Sequence, residues 1–156
     1  MINLFKNKAQ VYWKTVSVLA VGGAGVSAHL LELHNKAHSG SADFVCDLSD
    51  KFSCSAVALS SYSELLGQPV ALWGLLAYSV MALVALYFAV ATKVDLRVWY
   101  GWLVFIAGAL AFSLYLTFVE LFIIKYICLY CVTQQVIILL IVSLHYYIWK
   151  LDKRLK

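Results

Sequence analysis

The stretch KYICLYCVTQQVIILLIVSL, residues 125–144, places two cysteines three residues apart at the start of an apolar run long enough to cross a bilayer. Residues with this spacing share one face of a helix, so Cys128 and Cys131 fall close together. The first turn of a helix favours an anion, which lowers a thiol pKa, whereas apolar surroundings raise it. The stretch therefore predicts a membrane helix that opens with a reactive pair of thiols.

The composition of the whole chain supports a membrane protein. Of its 156 residues 63% are hydrophobic and 13% are charged, whereas a soluble domain carries about 25% charged residues. The net charge of +4 does not indicate nucleic-acid binding, because the basic residues lie at the chain ends and beside apolar runs. We expect one transmembrane domain over residues 1–156.

Four apolar runs have the length of a membrane-spanning helix. They predict an all-α fold, an integral membrane four-helix bundle with a long extracytoplasmic loop between helices 1 and 2. The predicted spans are about 13–33, 70–91, 98–121 and 127–149, and the outer loop is 34–69. Tryptophans and tyrosines near the span ends suggest interfacial anchors, namely Trp13, Trp99, Tyr100, Trp102, Tyr146, Tyr147 and Trp149.

Charge asymmetry predicts the orientation. Lysines and arginines precede the first span, flank the second connection and follow the last span, whereas the first connection is rich in acidic residues. The positive-inside rule then places both termini in the cytoplasm and all four cysteines on the outer side. A cleavable signal peptide ending near Ala28 is the alternative for the N-terminus, but the apolar run continues to Leu33.

The outer loop carries the other two cysteines, Cys46 and Cys54, separated by seven mostly polar residues. The run 56–66 is amphipathic and predicts a short helix lying at the membrane interface. Thiol–disulfide exchange proceeds through mixed disulfides, so a relay can run from an outside partner through Cys46, Cys54, Cys128 and Cys131. Because the last pair lies at membrane depth, a quinone is the electron acceptor we expect.

Four motifs follow one another along the chain: C-D-x6-C-S at 46–55, the double serine at 60–61, G-x-P followed by W-G within 67–74, and the C-x-x-C at 128–131. On these motifs rests a resemblance to the vitamin K epoxide reductase family in its bacterial quinone-linked form. It covers roughly residues 28–140, and the order of the motifs is specific. It implies a four-helix membrane bundle around a quinone, capped by the segment that follows the loop cysteines.

The resemblance also implies roles for individual residues. Cys131 faces the quinone, Cys128 exchanges with Cys54, and Cys46 takes electrons from a thioredoxin-like partner. The serine of the family that lies near the quinone corresponds to Ser61, in preference to Ser60.

Two departures from the family pattern bear on the reaction. The vertebrate enzymes carry a tyrosine and an asparagine at positions held here by Gln135 and Val70, so we expect quinone reduction without epoxide reduction. Since the chain carries no thioredoxin domain, we expect a separate partner protein. An unrelated four-helix quinone-linked disulfide oxidase has its two cysteine pairs in the opposite order and is set aside.

The histidines, the acidic residues and the aromatic residues suggest further roles. The cysteines with His29, His34 or His38 suit zinc poorly, because zinc sites prefer paired short spacings, so no metal is predicted. His29 and Glu32 are candidates for a proton relay, whereas Glu120 and Lys125 suggest the outer membrane boundary. The aromatic residues considered for a quinone pocket or for helix packing are Trp73, Tyr78, Phe112, Tyr115 and Phe118.

The sequence thus predicts a thiol–quinone oxidoreductase in a bacterial inner membrane. It would reoxidise an extracytoplasmic thioredoxin-like protein and so support disulfide bond formation in secreted proteins. The acceptor is a ubiquinone, a menaquinone or a vitamin K form. The alternative is a non-catalytic membrane scaffold with two structural disulfides.

Overall fold

The structure is a computed structural model that describes residues 2–40, 47, 51–91 and 95–153. Because a lipid environment offers the backbone no hydrogen-bonding partners, long apolar segments form helices that satisfy their own amides. The long helices are α1 (Ile2–His38), α3 (Val70–Val90), α4 (Leu96–Phe118) and α5 (Leu129–Lys153). Shorter elements are α2 (Cys54–Ala58), β1 (Glu64–Leu65), β2 (Gln68–Pro69) and a π-helix (Val119–Ile124) that continues α4.

Four helical segments are long and apolar enough to cross a membrane: Ala9–His38, Val70–Val90, Leu96–Ile124 and Leu129–Tyr147. The predicted fold class, an all-α membrane bundle, is therefore confirmed. Helix α1 continues to His38, so the first five residues of the predicted outer loop are helical.

Helices α1 and α3 approach closely at a glycine of α1. Tyr78 of α3 lies flat over Gly23, where a Cβ atom would come within 2.6 Å of two carbons of the ring. The Tyr78 hydroxyl donates a hydrogen bond to the Gln134 carbonyl of α5 at 3.0 Å. Small residues allow such approaches where no hydrophobic effect drives helices together, so Gly23 and Tyr78 fix the packing of three helices.

This contact predicts the effect of adding one methyl group to α1. We expect Gly23→Ala to lower the free energy of unfolding by about 1–3 kcal/mol, because the hydrogen-bonded Tyr78 ring cannot move aside. Gly22→Ala is the matched control, since a Cβ at Gly22 meets no atom within 4 Å. Unfolding of both variants in detergent, followed by circular dichroism, makes the comparison. Equal stability of the two variants would contradict the proposed packing.

An aromatic cluster closes the end of the bundle far from the cysteines. The Trp102 indole N–H donates to His145 Nδ1 at 3.2 Å, and the Trp13 ring packs against Trp102 and Phe88 at centroid distances of 5.8 and 4.6 Å. Trp13 and Trp102 are buried, so the prediction that these two are interfacial anchors was wrong. Their indoles fill the space between helices, and the Trp102 N–H bonds to a protein side chain instead of to lipid headgroups.

The segment between α1 and α3 is less helical than predicted. Helix α2 ends at Ala58, and the predicted helix over 56–66 was wrong beyond that residue. The Ser60 and Ser63 hydroxyls donate to backbone carbonyls three residues earlier, at 2.8 Å each, which competes with helix continuation. The chain then forms the β1–β2 hairpin, whose two turn residues, Leu66 and Gly67, both have positive φ.

Candidate redox site

A short backbone pairing brings two of the cysteines together. Phe52 and Ile127 form a parallel β-bridge, in which the Ser53 N–H donates to the Ile127 carbonyl at 3.2 Å. Cys128 directly follows Ile127 and Cys54 lies two residues after Phe52, so the bridge brings their side chains together: the two Sγ atoms are 3.3 Å apart. Both residues are buried, with exposed fractions of 2% and 1%. The pairing therefore holds the segment between α1 and α3 against the entry to α5.

The cysteines differ in redox state. Cys54 is disulfide-bonded, whereas Cys128 and Cys131 are free thiols. A thiol at van der Waals distance from a disulfide sulfur is placed for exchange, because exchange is an attack of one sulfur on another.

Cys128 occupies the N-cap of α5. Its carbonyl accepts the Val132 N–H at 3.0 Å, the first hydrogen bond of the helix. A hydrogen bond from the Cys131 thiol lowers the pKa of Cys128, and the backbone N–H groups of Cys131 and Tyr130 act in the same direction, although burial and the neighbouring Glu120 charge oppose them. The predicted effect of the helix N-terminus is thus carried by specific donors, which stabilise a thiolate at Cys128.

Glu120 lies beside this helix start. Its carboxylate accepts a hydrogen bond from the Cys128 N–H, and its exposed fraction is only 7%. Glu120 lies four residues before the end of the candidate membrane span Leu96–Ile124, and its expected position at the outer membrane boundary stays a prediction. The π-helix Val119–Ile124 ends at Lys125 with a positive φ of 62°, and π-helical turns of this kind frequently accompany functional sites. An ionisable residue within an apolar run is a sequence signal for such a site.

The residues that neighbour the loop cysteines are also in contact. Asp47 accepts hydrogen bonds from the Ser55 hydroxyl at 2.6 Å and from the Ser55 N–H at 3.2 Å. Burial raises the pKa of the Asp47 carboxyl, but these hydrogen bonds outweigh it and leave the pKa below its usual value. Cys46, predicted as the entry point of the relay, lies outside the described residues. The contact nevertheless joins Asp47 and Ser55, the residues that directly follow the two cysteines of the C-D-x6-C-S motif.

A cavity of about 610 Å³ opens among α1, α3, α4, α5 and the α2–hairpin segment. Its volume is in the range of small-molecule sites. Cys54, Cys128, Cys131 and Glu120 all line it, and most of the other lining residues are apolar. The three described cysteines therefore share one apolar chamber.

Of the two predicted cofactor-binding serines, the structure places Ser60 at the cavity and not the preferred Ser61. Ser60 lines the cavity, whereas Ser61 is exposed and is not among the lining residues. Of the aromatic residues considered, the lining includes Trp73, Tyr78 and Phe112, whereas Tyr115 and Phe118 are exposed.

Two polar networks in the cavity wall were missed by the sequence analysis. In one, the Gln134 Nε2 group donates to the Ser27 hydroxyl at 2.6 Å and to the Gly23 carbonyl at 3.1 Å. Among the described residues, Gln134 Oε1 is the buried side-chain oxygen that lacks a hydrogen-bond partner. An unpaired buried acceptor is costly, so this oxygen suits a ligand that brings a hydrogen-bond donor.

The second network orients Gln135. Its Oε1 atom accepts hydrogen bonds from the hydroxyls of Ser113 and Thr117, the latter at 3.2 Å. With the oxygen held in this way, the Gln135 amide group has a fixed orientation in the cavity wall. Two glutamines in succession within an apolar helix are a signal that the sequence analysis noted only for Gln135.

The residues considered for a proton relay do not line the cavity. Glu32 is exposed and pairs with Lys36 at 2.5 Å, and the His29 ring meets Tyr130 edge-on at a centroid distance of 4.9 Å. Tyr130, to which no role was assigned, also packs against the Cys54–Cys128 contact.

Comparison with known families agrees with this geometry. The family model described as the vitamin K epoxide reductase family matches residues 14–146, which include all of α3 and α4, most of α1 and α5, and all four cysteines. The chain belongs to the vitamin K epoxide reductase family. No curated protein sequence gives a significant match. The resemblance inferred from the cysteine motifs is therefore confirmed, and membership of this family indicates a multi-pass membrane thiol–disulfide oxidoreductase.

Proposed function

We propose that this protein is a thiol–quinone oxidoreductase that passes electrons from a reduced thioredoxin-like protein to a membrane quinone. The observation that carries the proposal is the meeting of Cys54, Cys128 and Cys131 in one apolar cavity, with the Cys128 thiol 3.3 Å from the Cys54 sulfur. An inert staple would not need a free dithiol beside a disulfide-bonded cysteine.

The first half of the relay runs through the outer loop. In our proposal the partner's dithiol reduces a Cys46–Cys54 disulfide, and the contact of Asp47 with Ser55 supports that pairing. The Cys54 thiolate then attacks Cys128 of a Cys128–Cys131 disulfide, which forms a mixed Cys54–Cys128 disulfide and releases Cys131. Attack by Cys46 on Cys54 resolves it, so two electrons have moved from the loop to the C-x-x-C pair.

The second half belongs to the cavity, whose residues fit a quinone. The walls are apolar, and the polar groups are few and separately placed, as in other small-molecule sites. A bound quinone supplies the acceptor for two electrons and two protons. Cys131 lines the chamber on the face of α5 that carries Gln134 and Gln135. Gln134 Oε1 accepts a hydrogen bond from the hydroxyl of the reduced product, and Ser60 takes the serine role first assigned to Ser61.

The dithiol must release two protons as its disulfide forms. The Glu120 carboxylate is placed to accept one of these protons, because it contacts the Cys128 backbone and lines the same cavity. We propose that it accepts a proton released by the C-x-x-C pair and passes it on inside the cavity. The sequence suggested His29 and Glu32 as proton-relay residues, but neither side chain lines the cavity.

The site must face an oxidising space for this cycle to serve disulfide formation. Positive-inside logic supports cytoplasmic termini and outward-facing cysteines, in the inner membrane of a bacterium. The mostly apolar lining of the cavity suits a ubiquinone, a menaquinone or a vitamin K form.

Purified protein supplied with a reduced thioredoxin-like dithiol protein and a short-chain quinone tests the proposal. We expect quinol, followed by its absorbance under anaerobic conditions, to form in one-to-one proportion with oxidised partner. A control without the partner measures direct reduction. A scaffold with two structural disulfides predicts no quinol above that control, and such a result would remove the proposed function.

A further inference from the structure

A second group of chemically active side chains lies outside the redox site. The His34 and His38 Nε2 atoms lie 3.7 and 4.0 Å from Glu64 Oε1, and the potential ligand atoms of the three residues are all within 4.8 Å of one another. The histidines lie one turn apart at the end of α1, and Glu64 opens the β1 strand of the hairpin. The cluster therefore links a membrane helix to the segment that roofs the cavity.

The spacing of these atoms suits a tetrahedral metal ion. Zinc bonds to histidine nitrogen and carboxylate oxygen are about 2.0–2.1 Å long, so neighbouring ligand atoms in a tetrahedral site are about 3.3–3.4 Å apart. The two nitrogen–oxygen distances of 3.7 and 4.0 Å exceed this by about 0.3 to 0.7 Å, which a movement of the exposed Glu64 side chain can close. The ligand set of two histidines and one glutamate is one that zinc uses, with a fourth position open to water.

The hydrogen bonds around the histidines also favour a metal. His38 Nδ1 lies 3.0 Å from the His34 carbonyl; because a carbonyl only accepts, Nδ1 must carry the proton. In the neutral ring the lone pair is then on Nε2, the atom that faces Glu64. A fixed tautomer of this kind is typical of histidines that bind metals.

We propose that His34, His38 and Glu64 form a binding site for a divalent transition-metal ion, with Zn²⁺ as the preferred occupant. The zinc site that the sequence disfavours has the cysteines as ligands, whereas the site proposed here contains no cysteine. Because His34 and Leu65 both line the cavity, an ion here fastens the hairpin roof to α1. The inference does not depend on the redox cycle.

Metal binding is measured on the full chain as the Cys128→Ser/Cys131→Ser variant, because free thiolates also bind zinc. Co²⁺ is the spectroscopic probe, and Zn²⁺ is then added as a competitor. We expect one equivalent of Co²⁺ per chain with the visible absorption of a tetrahedral site, displaced by Zn²⁺ with a Kd of about 1 μM or tighter.

Two variants at exposed ligands and one control complete the test. His38→Ala and Glu64→Gln should each weaken Zn²⁺ binding at least about 100-fold, since each removes one of three protein ligands. Glu32→Gln is the matched control, because Glu32 is an exposed carboxylate of the same helix that pairs with Lys36; its binding should be unchanged. The absence of a tetrahedral spectrum in the parent would overturn the site. Binding that persists equally in all three variants would overturn it as well.

Discussion

Replacement of Cys131 with alanine lowers kcat for quinol formation by at least about 1,000-fold, the scale expected when a residue of a catalytic unit is removed. Without Cys131, Cys128 has no partner in the C-x-x-C pair, so no dithiol remains that can give up two electrons together. Thr133→Ala is the matched control, because Thr133 is exposed on the same helix and its hydroxyl donates to the Leu129 carbonyl within that helix. The measurement is anaerobic quinol formation with a reduced partner protein.

The same variant should reveal the order of the relay. With Cys131 absent, nothing within the C-x-x-C pair can compete for Cys128, and its thiolate attacks the Cys54 sulfur that lies 3.3 Å away. We expect a Cys54–Cys128 disulfide to accumulate, detected by mass spectrometry of the digested protein under non-reducing conditions. Wild-type turnover in Cys131→Ala would eliminate the catalytic role of this thiol. Recovery of Cys128 only as a free thiol would eliminate the Cys54–Cys128 exchange.

The sequence predicted the helices well because the bilayer leaves an apolar segment few choices. A run such as 70–91 contains no charge and must satisfy its backbone internally, so helix is the available structure and its length follows from bilayer thickness. The cysteine pair at the start of α5 was predictable for the same reason, since the apolar run has to begin at an interface. These inferences need only local composition.

The structure of the site depends on contacts between distant segments, which local composition does not specify. The Phe52–Ile127 bridge decides that Cys54 meets Cys128, and nothing in either segment alone indicates a β-bridge. Trp102 was assigned to the interface because tryptophan is frequent there, whereas its position opposite His145 makes it a core residue. The serines at 60 and 63 end α2 through hydrogen bonds that an amphipathic pattern does not register.

The proposed role of Glu120 in proton transfer is tested by replacing its carboxylate with an amide. Glu120→Gln retains a side-chain oxygen that can accept the Cys128 N–H, but it removes the carboxylate that can take up a proton. We expect kcat to fall about 100-fold, as for loss of a general base, while the midpoint of thermal unfolding changes little. The pH–rate profile of kcat should also lose the limb that reports ionisation of this carboxyl group.

A second substitution separates proton transfer from positioning. Glu120→Leu also removes the acceptor for the buried Cys128 N–H. It should therefore lower the free energy of unfolding by about 1–3 kcal/mol relative to Glu120→Gln, which is the cost of an unpaired buried donor. If Glu120 only positions the helix start, Glu120→Gln will keep both the kcat and the pH profile of the wild type, and only Glu120→Leu will be impaired. If it carries protons, both variants lose the rate and the pH limb, because neither side chain can exchange a proton with the thiols inside the apolar cavity.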